Sequence, residues 1–142
     1  MPLVRISLNR ASAGSLRQIG EAVHQAMVDT IGIPANDRFQ VFDLHESAEL
    51  VFDPTFYGIE RSPGFIAIQI TLASGRTVQT KQALYARIAS LLQADAGVRP
   101  EDVFVSLLEV GAADFSLGNG RAQFAEALPP HLVALQGQAQ QE

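Results

Sequence analysis

The chain has 142 residues and a net charge of −5, and 47% of its residues are hydrophobic. This length suits one domain with its own core, and the absence of cysteine excludes disulfides, thiol catalysis and cysteine-ligated metals. The acidic balance argues against nucleic-acid or membrane partners. Neither a signal peptide nor a run of roughly 20 apolar residues is evident, so we expect a cytoplasmic protein.

The first third of the chain predicts a strand, a helix and a second strand. Residues 3–8 alternate and are rich in branched side chains, which favours a strand. Ser15 is suited to cap a helix whose apolar residues follow at helical spacing, with His24 on its solvent side. Gly32 ends this helix, and residues 39–44 predict the next strand. The apolar stripe is Leu16, Ile19, Val23 and Met27.

The same pattern returns after a central segment. Residues 49–52 predict a short further strand or hairpin arm, and residues 53–64 form a loop rich in turn residues. Residues 65–72 then predict a strand, Thr77 caps a second helix, and residues 103–110 predict the last strand. The apolar stripe of the second helix is Leu84, Ile88, Leu91 and Leu92.

The two halves correspond to each other position by position. Ile6 and Ile70 are 64 residues apart, and Asp37 and Asp102 are 65 apart, which indicates an internal duplication. Each half is a strand–helix–strand unit, over about residues 2–45 and 65–110, and its crossover makes the two strands parallel.

We therefore expect an α/β fold (α+β in some schemes) in which two βαβ units form a four-stranded mixed sheet with two helices on one face. The domain is expected to span residues 1–128. Residues 129–142, rich in Gln and Ala, predict a partly disordered tail that frays beyond Leu135. The second face of the sheet needs cover, which a homo-oligomer would provide.

Pro2 follows the initiator methionine, which aminopeptidases remove in front of small residues. The exposed α-amino group would then titrate near pH ~8, and burial would lower its pKa further. Such a secondary amine is a general base usable at neutral pH. The alternative interpretation is a proline at the edge of a strand without a chemical role.

These features together resemble the tautomerase superfamily. Besides Pro2 and the doubled βαβ unit, the turn Gly75-Arg76-Thr77 leads into a helix with Lys81, as in 4-oxalocrotonate tautomerase-like proteins. Three further stretches resemble the malonate semialdehyde decarboxylase subgroup: IPANDRFQ at 33–40, GIER at 58–61 and DFSLGNGRAQF at 114–124.

The resemblance implies a homotrimer in which Pro2 is the catalytic amine, near a subunit boundary. It also implies that Asp37 orders a water or a substrate oxygen and that Arg76 holds a substrate carboxylate. Phe39 and Phe115 are candidate walls of the pocket, although aromatic residues at such positions are more often part of the core. No metal and no organic cofactor is expected, since the histidines are scattered without ligand spacing.

Two departures distinguish the chain from the decarboxylase pattern. The decarboxylases carry two arginines in the turn after the third strand, whereas this turn has Arg76 alone, and Phe115 stands where they have tryptophan. A tautomerase acting on a small keto or enol acid is therefore the favoured interpretation. The alternatives are a decarboxylase or hydratase with protonated Pro2 and an Asp37-bound water, and a non-catalytic trimeric interaction protein.

Overall fold

The computed structural model describes the backbone of residues 2–139 and the side chains of residues 2–136. Met1, whose removal the sequence predicts, and residues 140–142 lie outside the described residues. The strands are β1 (Leu3–Asn9), β2 (Gln40–His45), β3 (Ile66–Ala73) and β4 (Val103–Val110). The α-helices are α1 (Leu16–Ile31), α2 (Val78–Ala96), α3 (Gln123–Glu126) and α4 (Pro130–Ala139).

The four strands form one mixed sheet in the order β2-β1-β3-β4. Strand β1 runs parallel to β2, with Ile6 opposite Phe42, and antiparallel to β3, with Ile6 also opposite Ile68. Strand β4 runs parallel to β3. This arrangement confirms the two βαβ units and the mixed sheet that the sequence predicted.

Both long helices cover the same face of the sheet. The alternate residues of β1 and β3 that point toward them are buried, and each such side chain contributes about 1.5–3 kcal/mol to stability. The helices also contact each other along their length. The fully buried side chains of this core include Val4, Ile6, Ile19, Val23, Met27, Ile68, Ile70, Leu84, Ile88 and Leu92.

The helix ends follow the predicted capping pattern. The Ser15 hydroxyl accepts a hydrogen bond from the Gln18 backbone at 3.2 Å, and the Thr77 hydroxyl accepts one from the Thr80 backbone at 3.1 Å. Gly32 ends α1 with a φ of 66°, in the left-handed region that favours glycine. The capping residues therefore fix where each crossover starts and stops.

The second face of the sheet is uncovered over much of its area. Phe104 and Leu108 lie on this face of β4 and are 50% and 49% exposed, and Val41 is exposed on β2, at the opposite edge of the sheet. Near the start of β3, the ring of Phe52 stacks on that of Phe65 with centroids 4.4 Å apart. The central strands carry Arg5 and Gln69 on this face, so its exposed apolar side chains lie mainly along the two edge strands.

The strand expected at residues 49–52 is not formed, and that prediction is wrong. The Glu49 backbone donates to the carbonyl of Glu46 at 2.9 Å, while the Glu49 carboxylate accepts from the Glu46 backbone at 3.0 Å. These two bonds close a turn, so the segment leaves β2 without extending alongside it. The following residues form an irregular loop held by stacking on Phe65.

The segment expected to be a partly disordered tail contains α4, which continues beyond Leu135 to Ala139. Leu132 is buried and lines, with Ala73 and Val110, a cavity of about 240 Å³ between the helix and the end of the sheet. This packing orders a sequence whose composition alone did not predict a helix. Within the described residues, no helix is both long and apolar enough to cross a membrane.

Candidate active site

Three chain segments meet at the end of the sheet where the central strand β1 begins. Pro2 is buried and precedes β1, whose Leu3 lies opposite Thr71 near the end of β3. The backbone N–H of Val4 donates to the carbonyl of Phe39 at 3.0 Å, which places the segment before β2 on the other side. Pro2 therefore lies between the segment with Asp37 and the turn after β3.

The register of the sheet places Asp37 close to the start of β1. Gln40 lies opposite Val4, so the chain before β2 runs back toward Pro2. Asp37 is half-buried, and its backbone N–H donates to the carbonyl of Pro34 at 3.0 Å, which fixes the turn. The turn that carries Asp37 thus lies beside the start of β1.

The second repeat shows what an aspartate at this position can contact. Asp102, the counterpart of Asp37, accepts a hydrogen bond from the Ser62 backbone at 2.7 Å and one from the Ser62 hydroxyl at 2.6 Å. Ser62 precedes β3 as the amino terminus precedes β1. The duplicated turn therefore directs a carboxylate at polar groups in front of the adjacent strand.

Arg76 lies in the turn between β3 and α2, and its side chain is only 8% exposed. Its Nη1 donates to the carbonyl of Ala73 at 2.8 Å, whereas Nε is buried without a hydrogen-bond partner. Among the described residues, no carboxylate oxygen lies within 4.0 Å of the guanidinium. A buried cation without a paired anion is costly, so this group is suited to bind an anionic ligand.

The electrostatic surroundings of Arg76 agree with this interpretation. Burial lowers the pKa of the guanidinium from its usual value, and the more distant Glu109 opposes the shift. Glu109 itself is paired with Lys81 of α2. The acid that stabilises the Arg76 charge is therefore itself paired with a lysine. The burial of Arg76 excludes the alternative that it is a solvent-exposed arginine at the start of a helix.

His131 on α4 is a site residue that the sequence analysis missed. Burial lowers the pKa of its imidazole, the positive charges of the amino terminus and of Arg76 lower it further, and Asp37 raises it. The ring is thus within electrostatic reach of Asp37 and Arg76. His131 belongs to no motif in the sequence, and only the packing of α4 brings it there.

The two predicted aromatic residues are less closely associated with this cluster. Phe39 lies on the uncovered face of the sheet, 47% exposed, and reaches β1 only through its backbone. Phe115 is half-buried and follows a short 3₁₀ helix, Ala112–Asp114, just beyond β4. Both are near the end of the sheet where β1 begins, and their contact with a ligand stays a prediction.

His24 was predicted to face solvent, and that prediction is wrong. The residue is 8% exposed, and its Nε2 lies 2.8 Å from the carbonyl of Ala35, to which it must donate because a carbonyl only accepts. His24 therefore anchors the loop that carries Asp37. Within residues 2–139, no group of three or more His, Asp or Glu side chains is arranged to hold a metal ion.

Comparison with known proteins agrees with this geometry. Two family profiles, both described as tautomerase enzyme, match the chain over residues 37–118 and residues 2–56. The chain belongs to the tautomerase family. One curated relative, the "Probable tautomerase YusQ" of Bacillus subtilis (strain 168), is 41% identical over 127 residues, which covers 89% of this chain and 100% of that protein.

Solved structures refine the placement within the family. A malonate semialdehyde decarboxylase inhibited by 3-bromopropiolate is 36% identical, with a TM-score of 0.81 over 90% of this chain and 98% of that chain. A second malonate semialdehyde decarboxylase is 34% identical, with a TM-score of 0.79 over 87% and 96% of the two chains. The tautomerase-family chain is thus similar to the decarboxylase subgroup, as its sequence motifs indicated.

A fused 4-OT symmetric trimer shares the fold of this tautomerase at lower sequence similarity. Its TM-score is 0.70 and its identity 21%, over 88% of this chain and 98% of that chain. This likeness confirms the fold expected from the duplicated βαβ units.

Proposed function

We propose that the protein is a cofactor-independent tautomerase that interconverts the keto and enol forms of a small carboxylate-bearing acid. The observation that carries the proposal is the buried guanidinium of Arg76, which lacks an ion-pair partner among the described residues. It lies at the same end of the sheet as Pro2. A guanidinium in such a position binds a carboxylate with charge-assisted hydrogen bonds. A substrate bound there would present its reacting carbons near Pro2.

In the proposed reaction, Pro2 is the general base once Met1 has been removed. Its nitrogen accepts the proton of the enol hydroxyl, the oxygen electrons form the carbonyl bond, and the former double bond takes the proton from Pro2 at carbon. Burial of Pro2 favours the neutral amine that this step needs. Asp37 would order a water or a substrate oxygen beside it.

The test is ketonisation of phenylenolpyruvate between pH 5 and pH 9, with protein whose intact mass shows that Met1 is absent. Activity should rise with pH because only the neutral amine accepts a proton. Pro2→Ala should lose at least about 10²-fold in kcat, the range of general-base catalysis. Pro63→Ala, a change in an exposed turn, is the matched control and should keep full activity. Equal turnover in Pro2→Ala would overturn the proposal.

A second candidate is decarboxylation or hydration of a three-carbon acid such as malonate semialdehyde. It is favoured by the 34% and 36% identity to two malonate semialdehyde decarboxylases. In that reaction Pro2 would be protonated, so activity should fall as pH rises through the pKa of Pro2. Carbon dioxide release with this opposite pH profile would place this reaction first.

We also propose that the protein is a homotrimer. On the uncovered sheet face, Phe104 and Leu108 of β4 offer exposed apolar side chains to a second copy, and the related fused 4-OT is a trimer. Light scattering should give three times the chain mass. Phe104→Glu should reduce that mass, whereas Arg17→Glu, on the exposed side of α1, should not. A trimer without any turnover would instead favour the non-catalytic interaction protein.

A further inference from the structure

Helix α4 is fixed against the turn that carries Arg76. Leu132 is buried and shares a cavity wall with Ala73 and Ser74. The Leu135 side chain lies so close to Gly75 that a Cβ added there would be 3.4 Å from the Cβ of Leu135. The contacts of Leu132 and Leu135 with this turn therefore set the position of α4 relative to the candidate site.

His131 precedes Leu132 on this helix, and its ring is oriented inward. Its Nε2 is buried and has no hydrogen-bond partner in the structure, although the ring as a whole is only half-buried. A buried ring nitrogen without a partner is unfavourable, because water no longer satisfies it. Such an atom is explained if a ligand provides the missing partner.

We propose that His131 is a catalytic residue whose Nε2–H donates a hydrogen bond to the reacting oxygen of the substrate. This inference rests on the proposed function. When Pro2 accepts the enol proton, negative charge collects on that oxygen until the carbonyl bond forms and carbon takes the proton from Pro2. A donor aimed at this oxygen stabilises the charge without giving up its own proton.

The charges around His131 support a neutral donor. Burial and the positive charge of Arg76 lower the pKa of the ring, against the influence of the Asp37 carboxylate. The imidazole is therefore uncharged at neutral pH, with one ring nitrogen carrying a proton. Arg76 would hold the carboxylate of the same substrate, so the two groups would bind its two ends.

The experiment compares His131→Leu, which removes the donor, with His131→Gln, whose side-chain amide restores a donor near the Nε2 position. In ketonisation of phenylenolpyruvate, His131→Leu should lower kcat at least about 10-fold with little change in KM, and His131→Gln should recover part of the loss. His45→Leu is the matched control, because His45 lies at the far end of β2.

The outcomes separate this inference from the proposed function. If Pro2→Ala is inactive while His131→Leu keeps the parent kcat, the role of His131 is overturned and the proposed function stands. If Pro2→Ala stays active, the proposed function itself fails. Equal losses in His131→Leu and His131→Gln, together with lower melting temperatures of both, would show that His131 is structural, which also overturns the proposal.

Discussion

Asp102 binds Ser62 through both of its carboxylate oxygens, one accepting from the backbone at 2.7 Å and the other from the hydroxyl at 2.6 Å. Asp102 is only 2% exposed, so Ser62 and Arg99, 3.8 Å away, compensate a buried charge. The equivalent turn of the first repeat carries Asp37. We propose that the turn with Asp102 stabilises the fold and that the turn with Asp37 takes part in the reaction.

Asp102→Asn should therefore destabilise the protein. The amide would direct N–H groups at one donor of Ser62, and an unsatisfied buried group costs about 1–3 kcal/mol. Urea unfolding should show this loss at an unchanged denaturant slope, with kcat of the remaining folded protein unaltered. Asp37→Asn is the matched comparison and should lower kcat. A larger fall in kcat for Asp102→Asn than for Asp37→Asn would contradict this division of roles.

Much of the fold was predictable because the chain repeats itself. The spacing of Ile6 and Ile70 indicated the duplication, and the caps Ser15 and Thr77 marked both crossovers. Local rules suffice where a pattern is periodic and its turn residues are specific. The failed strand at 49–52 shows the limit, because its pairing depended on a turn formed by Glu46 and Glu49.

The candidate site was predictable only in part. Sequence motifs identified Pro2, Asp37 and Arg76, and the structure brings the three to one end of the sheet. The burial of Arg76 and the presence of His131 could not be predicted, because both depend on how α4 packs against the end of the sheet. The Gln- and Ala-rich composition of this segment predicts a partly disordered tail. The burial of Leu132 against the end of the sheet instead holds it as a helix.

Arg76→Met should separate stability from activity. The apolar side chain removes the desolvation cost of a buried cation, which offsets the lost hydrogen bond to the Ala73 carbonyl, so the free energy of unfolding should not fall by more than about 1 kcal/mol. The value of kcat/KM should fall about 10- to 100-fold, the worth of a hydrogen bond to a charged group.

The measurement pairs urea unfolding with ketonisation kinetics, and Arg76→Lys serves as the comparison. Lysine keeps the charge but loses the planar fork, so it should restore little of the activity. Arg17→Met, in an exposed pair with Glu21, is the surface control. A strong loss of stability in Arg76→Met would mean that the guanidinium holds the fold through the carbonyl of Ala73.

Stability should fall on acidification because of His131. The unfolded chain takes up a proton at this ring near pH ~6.5, whereas in the folded protein burial, the amino-terminal charge and Arg76 lower its pKa against the influence of Asp37. Below about pH 6.5 the unfolded state then binds more protons, so the free energy of unfolding declines as pH drops.

The check is urea unfolding of the parent and of His131→Gln from pH 5 to pH 8.5. The parent should lose more stability than the variant between pH 7 and pH 5. Between pH 7.5 and pH 8.5 the difference between them should stay constant, because the histidine is then neutral in both states. Parallel curves over the whole range would show that His131 does not respond as its surroundings indicate.

Gly75→Ala should disturb both the fold and the site. Gly75 has a φ of 125°, which an L side chain rarely adopts, and an added Cβ would contact Leu135 of α4 at 3.4 Å. The strain should cost about 1–3 kcal/mol, and its relief should shift the turn and with it Arg76, the next residue. We expect a lower urea midpoint together with a lower kcat. Gly14→Ala is the matched control, since nothing lies within 4 Å of its added Cβ. Reduced stability with unchanged kcat in Gly75→Ala would mean that the strain in the turn does not reach Arg76.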